Sequence, residues 1–206
     1  MPDYKLTYFD RSGGRGEAIR IAFHAAGIPL EDNRISLQEF VQNRDEMRFK
    51  CVPVLHIDGE EITQSNGMLR FIGKLGNLYP EDAMQAMYCD EAMDAIEDLY
   101  HHIVLTLFKQ GDELVKAREA LASGWLTTIM RGLDELLVRG GGEYFADNRL
   151  TVADLKVHNV ALTVTSGRLE HVPADLLDKV APNVAAHTQR ISDHEVVKAY
   201  YASLES

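Results

Sequence analysis

The stretch that decides the fold is YKLTYFDRSGGRGE, residues 4–17. Apolar and polar side chains alternate up to Phe9, which is typical of a half-buried strand, and the clustered glycines then interrupt it. A helical pattern of apolar residues follows and stops at Gly27, a residue type that commonly ends helices. The order places Tyr8 at the carboxyl end of the first strand, where open α/β sheets bind ligands. Tyr8 and Arg15 are therefore candidate ligand contacts, with a half-buried structural tyrosine as the alternative.

Composition limits the class of protein. The 206 residues fit one large domain or two small ones, and 21 basic against 32 acidic side chains give a net charge of −11. Such a surface repels nucleic acid and anionic membranes, so neither is an expected partner. No apolar run approaches the ~18 residues that span a bilayer, which favours a cytoplasmic protein. Cys51 and Cys89 are far apart in sequence and suit a reducing compartment.

The rest of the first half predicts a small α/β domain. A second strand at 30–35 completes a right-handed βαβ unit, and residues 37–49 are an irregular helix or loop. Strands at 52–57 and 60–63 are joined by Asp58-Gly59, a pair that favours a type I′ turn. Pro53 begins the third strand, where its peptide bond is a candidate for the cis form, and Ser65 is the expected N-cap of the next helix. The order βαβ-α-ββα predicts a thioredoxin-like domain with a mixed four-stranded sheet.

The second half predicts an all-helical domain. We expect a first domain at 1–76, a linker at 77–82 and a helical domain at 83–206. Long helices are expected at 84–110 and 113–138, followed by a nearly uncharged helix that Thr151 and Asp154 begin as a capping box. Leu150 and Leu155 flank that box as a hydrophobic staple. Shorter helices complete the chain.

Taken together, these motifs resemble a cytosolic glutathione transferase. The matching segments cover both halves in the family's order: Tyr8-Phe9 with Arg15 and Glu17, Val52-Pro53-Val54-Leu55, Asp58-Gly59, Gln64-Ser65, and residues 148–154, NRLTVAD. The start of the chain is most similar to the sigma class, which includes glutathione-dependent prostaglandin D synthases. The resemblance implies a detoxifying transferase in which Tyr8 stabilises the glutathione thiolate, and the thiolate attacks a hydrophobic electrophile. Peroxidase or isomerase activity would use the same thiolate.

The resemblance also implies a role for each matching position. Tyr8 and Arg15 would be catalytic, and glutathione would be the co-substrate, with no metal required. The residues implied in glutathione binding are Tyr8, Phe40, Arg44, Cys51, Val52, Pro53, Gln64, Ser65 and Asp98. Asp98 would reach the glutathione of the neighbouring subunit, so a homodimer is expected. The electrophile pocket would be lined by Phe9, Ser12, Gly13, Tyr100, Val104 and Phe108.

Two departures from the family pattern keep other readings open. Cys51 replaces the usual glutamine or lysine, and one extra glycine precedes Arg15. One alternative is a non-catalytic binding or structural protein of the same fold, as some lens crystallins are. The other is a thiol-disulfide enzyme that uses Cys51. Arg15 also has a structural alternative, a salt bridge to an acidic neighbour.

Overall fold

The computed structural model describes residues 2–205, and the chain folds as two compact units. The first unit extends to Tyr79 and also contains the segment that begins at Glu195. The second unit is Pro80–His194. Met1 and Ser206, the ends of the two predicted domains, lie outside the described residues. No helix in the described part is long and apolar enough to cross a membrane.

A mixed four-stranded sheet forms the centre of the first unit. Its elements are β1 (Tyr4–Phe9), α1 (Gly14–Ala25), β2 (Glu31–Ile35), α2 (Leu37–Asn43), β3 (Val54–Ile57), β4 (Glu60–Ile62) and α3 (Ser65–Leu75). The strand order is β2-β1-β3-β4, with β1 parallel to β2 and the other two pairs antiparallel. The predicted α/β thioredoxin-like fold class is confirmed.

The core of this unit lies where the sheet meets α1 and α3. Leu6 of β1 is paired in register with Leu55 of β3, and both side chains are fully buried. Ile19 of α1 and Ile72 of α3 are also fully buried, and these two helices pack against each other. This close packing holds β1 in place, so the residues that follow β1 have a rigid support.

The predicted hairpin turn is present between β3 and β4. Asp58 has a φ of 50° and Gly59 a φ of 87°, as a type I′ turn requires at both central residues. The Val52-Pro53 peptide bond is cis. Residues 37–49 form α2 and a short 3-10 turn, Arg44–Glu46. Ser36 and Glu39 make a capping box that begins α2.

Two local expectations differ from the structure. Helix α3 begins at Ser65, so its N-cap is Gln64 and not Ser65. The Gln64 carbonyl accepts the first helical hydrogen bond, from the Met68 N–H, and its side chain makes no capping hydrogen bond. The C-terminal helix α10, Glu195–Ser203, belongs to the first unit, although we expected it in the helical domain. It packs against α1, and the rings of His24 and Tyr200 lie 5.7 Å apart.

The second unit is helical, as predicted. It contains α4 (Ala83–Val104), α5 (Gly111–Leu121), α6 (Thr127–Arg139), α7 (Val152–Thr165), α8 (Leu176–Val180) and α9 (Pro182–Asp193). Helix α7 packs against α4 and α9, and its residues are buried almost without interruption from Val152 to Ala161. This explains why α7 carries so few charges.

The helix expected at 113–138 is interrupted near its middle. Residues 122–126 form a π-helical turn between α5 and α6, and Gly124 has non-helical dihedrals, φ −106° and ψ −110°. The turn leaves the indole of Trp125 exposed and stacked on the ring of His102, 4.4 Å away. Glycine lacks a Cβ and permits the break, which helical periodicity alone does not reveal.

Candidate active site around Tyr8

Tyr8 is the predicted catalytic residue, and it lies one residue before the end of β1. Its side chain is only 3% exposed. The backbone N–H of Arg15, in the first turn of α1, donates a hydrogen bond of 3.0 Å to the Tyr8 hydroxyl oxygen. The phenol therefore meets the positive end of a helix, and its own hydrogen is left available to donate.

Two glycines allow this close approach. Gly14 has a φ of +70°, and a Cβ placed on it would lie 2.3 Å from the Tyr8 hydroxyl oxygen. A Cβ on Gly16 would lie 2.3 Å from the Cδ1 atom of the same ring. Real Cβ atoms do not approach other atoms so closely, so the backbone fits over Tyr8 only because both residues are glycine.

Arg20 of α1 holds the turn that follows Tyr8. Its guanidinium donates to the carbonyl oxygens of Phe9 and Arg11, each at 3.2 Å. It also pairs with Glu17 at 3.2 Å and with Asp32 of β2 at 2.9 Å, and it lies 5.7 Å from the centre of the Tyr8 ring. Because Arg20 is only 3% exposed, these contacts hold the turn in a desolvated environment.

The sequence analysis missed this role of Arg20. The available signal was the spacing of Glu17 and Arg20, which places an acid and a base on the same face of a helix. Nothing in that pattern indicates that the pair is buried or that Arg20 reaches two backbone carbonyls.

Aromatic side chains surround the Tyr8 ring and bring two further predicted residues to it. The rings of Tyr8 and Phe9 lie 5.3 Å apart, and Phe9 meets Phe40 of α2 edge-on at 5.3 Å. The guanidinium of Arg11 lies over the Phe9 ring, 5.6 Å from its centre. Arg11, which the sequence analysis did not select, therefore belongs to the same neighbourhood. Ser12 is exposed and Gly13 is buried in the same turn.

The segment before β3 contains three predicted glutathione contacts. Cys51 is exposed, Val52 is half-buried, and Pro53 is buried after its cis peptide bond. Cys89, by contrast, is fully buried on α4, and its burial raises the pKa of the thiol to about 12. A thiol with so high a pKa remains protonated, so Cys51 is the more reactive of the two cysteines.

Gln64 and Ser65 form the N-terminal end of α3. Gln64 has a φ of 71°, a left-handed conformation that a residue with a side chain adopts at a cost. Ser65 is buried as the first residue of the helix, and the positive end of the helix dipole at this position favours an anion. Strain of this kind often occurs where a backbone is shaped to bind a ligand.

The remaining predicted residues lie in other segments. Arg44 is exposed in the 3-10 turn after α2. In the second unit, Asp98 is exposed and Tyr100 buried on α4, while Val104 is half-buried as its last residue. Phe108 follows the end of α4 and is 80% exposed. Among the described residues, no three His, Cys, Asp or Glu side chains are grouped to hold a metal ion.

Comparison with known proteins gives a consistent result for both units. The glutathione S-transferase C-terminal domain family matches residues 97–204. Glutathione S-transferase 1 of Ascaris suum is 32% identical over 162 residues, which are 76% of this chain and 78% of that protein. The solved structure of prostaglandin synthase D of Nilaparvata lugens superposes with a TM-score of 0.84 and 25% identity, covering 98% of each chain.

A relative with a different name also covers nearly the whole chain. S-crystallin SL11 of Nototodarus sloanii is 26% identical over 206 residues, 97% of this chain and 96% of that protein. The fold, the family match and the Ascaris suum relative agree with the motifs around Tyr8. This chain belongs to the glutathione S-transferase family and is a glutathione transferase.

Proposed function

We propose that Tyr8 donates a hydrogen bond to the sulfur of glutathione and stabilises its thiolate, which attacks the electrophilic carbon of a hydrophobic substrate. The observation that carries this proposal is the Arg15 N–H that donates to the Tyr8 hydroxyl oxygen at 3.0 Å. A hydroxyl that accepts from one side keeps its hydrogen for the other side, where a thiolate would accept it. The product is a thioether, and the leaving group departs with the bonding electron pair.

The energy required from Tyr8 is modest. A free thiol has a pKa near ~8.5, so only a small fraction is thiolate at neutral pH. Each unit by which the protein lowers that pKa corresponds to about 1.4 kcal/mol of preferential stabilisation of the anion. A hydrogen bond from a desolvated phenol, assisted by the N-terminal end of α1, is of this size.

We place glutathione against three segments of the first unit: the N-terminal end of α3, the residues before β3, and α2 with the turn that follows it. The N-terminal end of α3, with Gln64 and Ser65, is suited to the γ-glutamyl carboxylate. The backbone of Val52, before Pro53, would pair with the cysteinyl unit. Phe40, Arg44 and Cys51 would then contact the rest of the peptide, with Arg44 as the cation for the glycyl carboxylate.

We assign Asp98 to the glutathione of the partner subunit, which makes the active site depend on a homodimer. Mixing two inactive variants tests this assignment. If Asp98 acts across the dimer, mixed dimers of Tyr8→Phe and Asp98→Asn contain one intact site and regain activity. If Asp98 acts on its own subunit, both sites of every mixed dimer are defective and no activity returns.

For the electrophile we retain the predicted residues Phe9, Ser12, Gly13, Tyr100, Val104 and Phe108. The likeness to prostaglandin synthase D of Nilaparvata lugens supports the sigma class. We propose a cytoplasmic, detoxifying role, in which small hydrophobic electrophiles are conjugated to glutathione.

The test of the Tyr8 mechanism is an ultraviolet difference titration with glutathione across pH. We expect the native protein to ionise the bound thiol well below its free pKa, and Tyr8→Phe to bind glutathione without doing so. Tyr4→Phe is the matched control, because it removes a hydroxyl from the same strand, where the Tyr4 ring packs on Phe23 at 5.3 Å.

Two results would redirect the assignment. Equal ionisation in the native protein and in Tyr8→Phe would reject Tyr8 as the activating group. Binding without ionisation in the native protein would favour a non-catalytic role, which the whole-length likeness to an S-crystallin makes the second candidate.

A further inference from the structure

Arg11 lies in the turn that follows Tyr8, and its backbone is held at both polar groups. Its N–H donates to the carbonyl of Phe9 at 2.9 Å, and its carbonyl accepts from the buried Arg20 at 3.2 Å. Its guanidinium then lies over the Phe9 ring, 5.6 Å from the ring centre. A cation on an aromatic face is held in a limited range of positions, so the charge of Arg11 is preorganised.

The guanidinium of Arg11 shares the space around Gly14 with the Tyr8 hydroxyl. A Cβ on Gly14 would lie 2.3 Å from the Tyr8 hydroxyl oxygen and 3.3 Å from the Nη2 atom of Arg11. The Tyr8 hydroxyl oxygen and the Arg11 Nη2 atom are therefore separated by no more than the sum of these two distances. An atom that accepts a hydrogen bond from the phenol would then lie in the same neighbourhood as this cation.

Neighbouring basic residues are neutralised by carboxylates, and Arg11 is not. Lys5 pairs with Glu31 at 2.7 Å, and both Arg20 and Arg34 pair with Asp32. Among residues 2–205, no carboxylate lies within ion-pair distance of the Arg11 guanidinium, and the residue is exposed. In a protein of net charge −11, this is an accessible positive charge beside the reacting group.

We propose that Arg11 binds an anionic group on the electrophile, so that this transferase prefers electrophiles that carry a carboxylate. The inference rests on the proposed function, because it assigns Arg11 to the substrate of the Tyr8 reaction. The planar guanidinium matches a carboxylate through two parallel hydrogen bonds. The predicted pocket residues Phe9, Ser12 and Gly13 are close to Arg11 in the chain, so Arg11 belongs to the segment that we assign to the electrophile.

The experiment compares two electrophiles that react by the same substitution, chlorodinitrobenzene and its carboxylated analogue chlorodinitrobenzoate. For each variant we measure kcat/KM with both substrates and take the ratio of the anionic to the neutral value. We expect Arg11→Gln to lower this ratio about twofold to fivefold relative to the native protein, the effect of one exposed ion pair. Arg11→Lys should retain most of the ratio, because the charge remains.

Two controls separate a local contact from a general charge effect. Arg131→Gln removes an exposed cation from α6, outside the predicted site, and should leave the ratio unchanged. Raising the salt concentration should lower the ratio of the native protein towards that of Arg11→Gln, because exposed charges are screened.

Each contrary result has a definite meaning. An unchanged ratio in Arg11→Gln, with normal conjugation of the neutral substrate, overturns the inference and leaves the proposed function intact. An equal loss with both substrates assigns Arg11 to the thiolate instead and also overturns it. If the native protein conjugates neither substrate, the inference fails together with the proposed function.

Discussion

The backbone N–H of Arg15 lies 3.0 Å from the hydroxyl oxygen of Tyr8, so the first turn of α1 touches the phenol directly. The contact comes from the main chain and not from the arginine side chain on which the sequence resemblance relies. It requires the glycines around Arg15, because any Cβ on Gly14 would collide with the hydroxyl. The inserted glycine turn therefore shapes the surroundings of the Tyr8 hydroxyl.

We expect Gly14→Ala to displace Tyr8 and to lower kcat/KM on the order of a hundredfold, the effect of misplacing a reacting group by about an ångström. The added methyl group would lie 2.3 Å from the hydroxyl oxygen, so the turn or the ring must move. Gly59→Ala is the control: Gly59 also has a positive φ, +87°, but no atom lies within 4 Å of its Cβ position. Gly59→Ala should lose about 1 to 2 kcal/mol of stability, the cost of its positive φ alone, and keep its activity. Gly14→Ala should lose more stability, because the clash adds to that cost, and should also lose activity.

We expect Arg20→Met to lower the free energy of unfolding by about 3 to 5 kcal/mol, because it leaves the buried carboxylate of Glu17 without its partner. It also releases the carbonyls of Phe9 and Arg11, so the activity that survives should fall further than the folded fraction does. Lys5→Met breaks the exposed pair with Glu31 and should cost less than about 1 kcal/mol. Urea denaturation measures both values, and similar losses for the two variants would contradict the structural role of Arg20.

The sequence could predict those elements whose signals are local. Asp58-Gly59 specifies a turn by its own backbone preferences, and the alternation up to Phe9 specifies a strand. The same signals place Tyr8 near the carboxyl end of β1, where the structure also has it. Helix α7 was predictable because a nearly uncharged helix must be buried.

Other features depend on contacts that no local pattern encodes. The sequence predicts the start of α3 one residue too late, with Ser65 as the N-cap instead of Gln64. Gln64 has a positive φ that glutamine seldom adopts, so its residue type does not indicate this position. The contacts of Arg20 and Arg11 depend on the way the turn folds back on α1 and on the position of the Phe9 ring. Helix α10 belongs to the first unit because it packs on α1, a contact between residues far apart in sequence.

We expect Asp154→Asn to destabilise the protein by about 3 kcal/mol. The fully buried carboxylate accepts from the N–H and hydroxyl of Thr151, from the N–H of Phe145 and from His187 at 2.7 to 3.0 Å. The side-chain NH₂ group of an asparagine would face at least one of these hydrogen-bond donors, and two donors cannot pair with each other. Asp82→Asn, at the exposed cap of α4, should cost less than about 0.5 kcal/mol, because Asn and Asp cap helices equally well. Equal thermal stability of the two variants would refute the central role of Asp154.

His158 should make the protein less stable as the pH falls. Burial lowers the pKa of its imidazole from 6.5 to about 4, and the neighbouring His187 acts in the same direction, while the carbonyl of Thr188, 3.1 Å from Nδ1, opposes them. Between these two pH values the unfolded chain holds a proton at this histidine and the folded chain does not. The contribution of His158 to the free energy of unfolding is therefore fully present above pH 6.5. It decreases towards pH 4, with a slope of up to about 1.4 kcal/mol per pH unit.

We expect His158→Asn to remove most of this slope, because an asparagine amide still donates to the Thr188 carbonyl and does not titrate. The free energy of unfolding in urea, measured across this pH window, should then depend less on pH than in the native protein. His101→Asn replaces an exposed histidine on α4 and should leave the native slope in place. If the two variants keep the same slope, the acid sensitivity of the fold arises at other groups and not at the buried imidazole of α7.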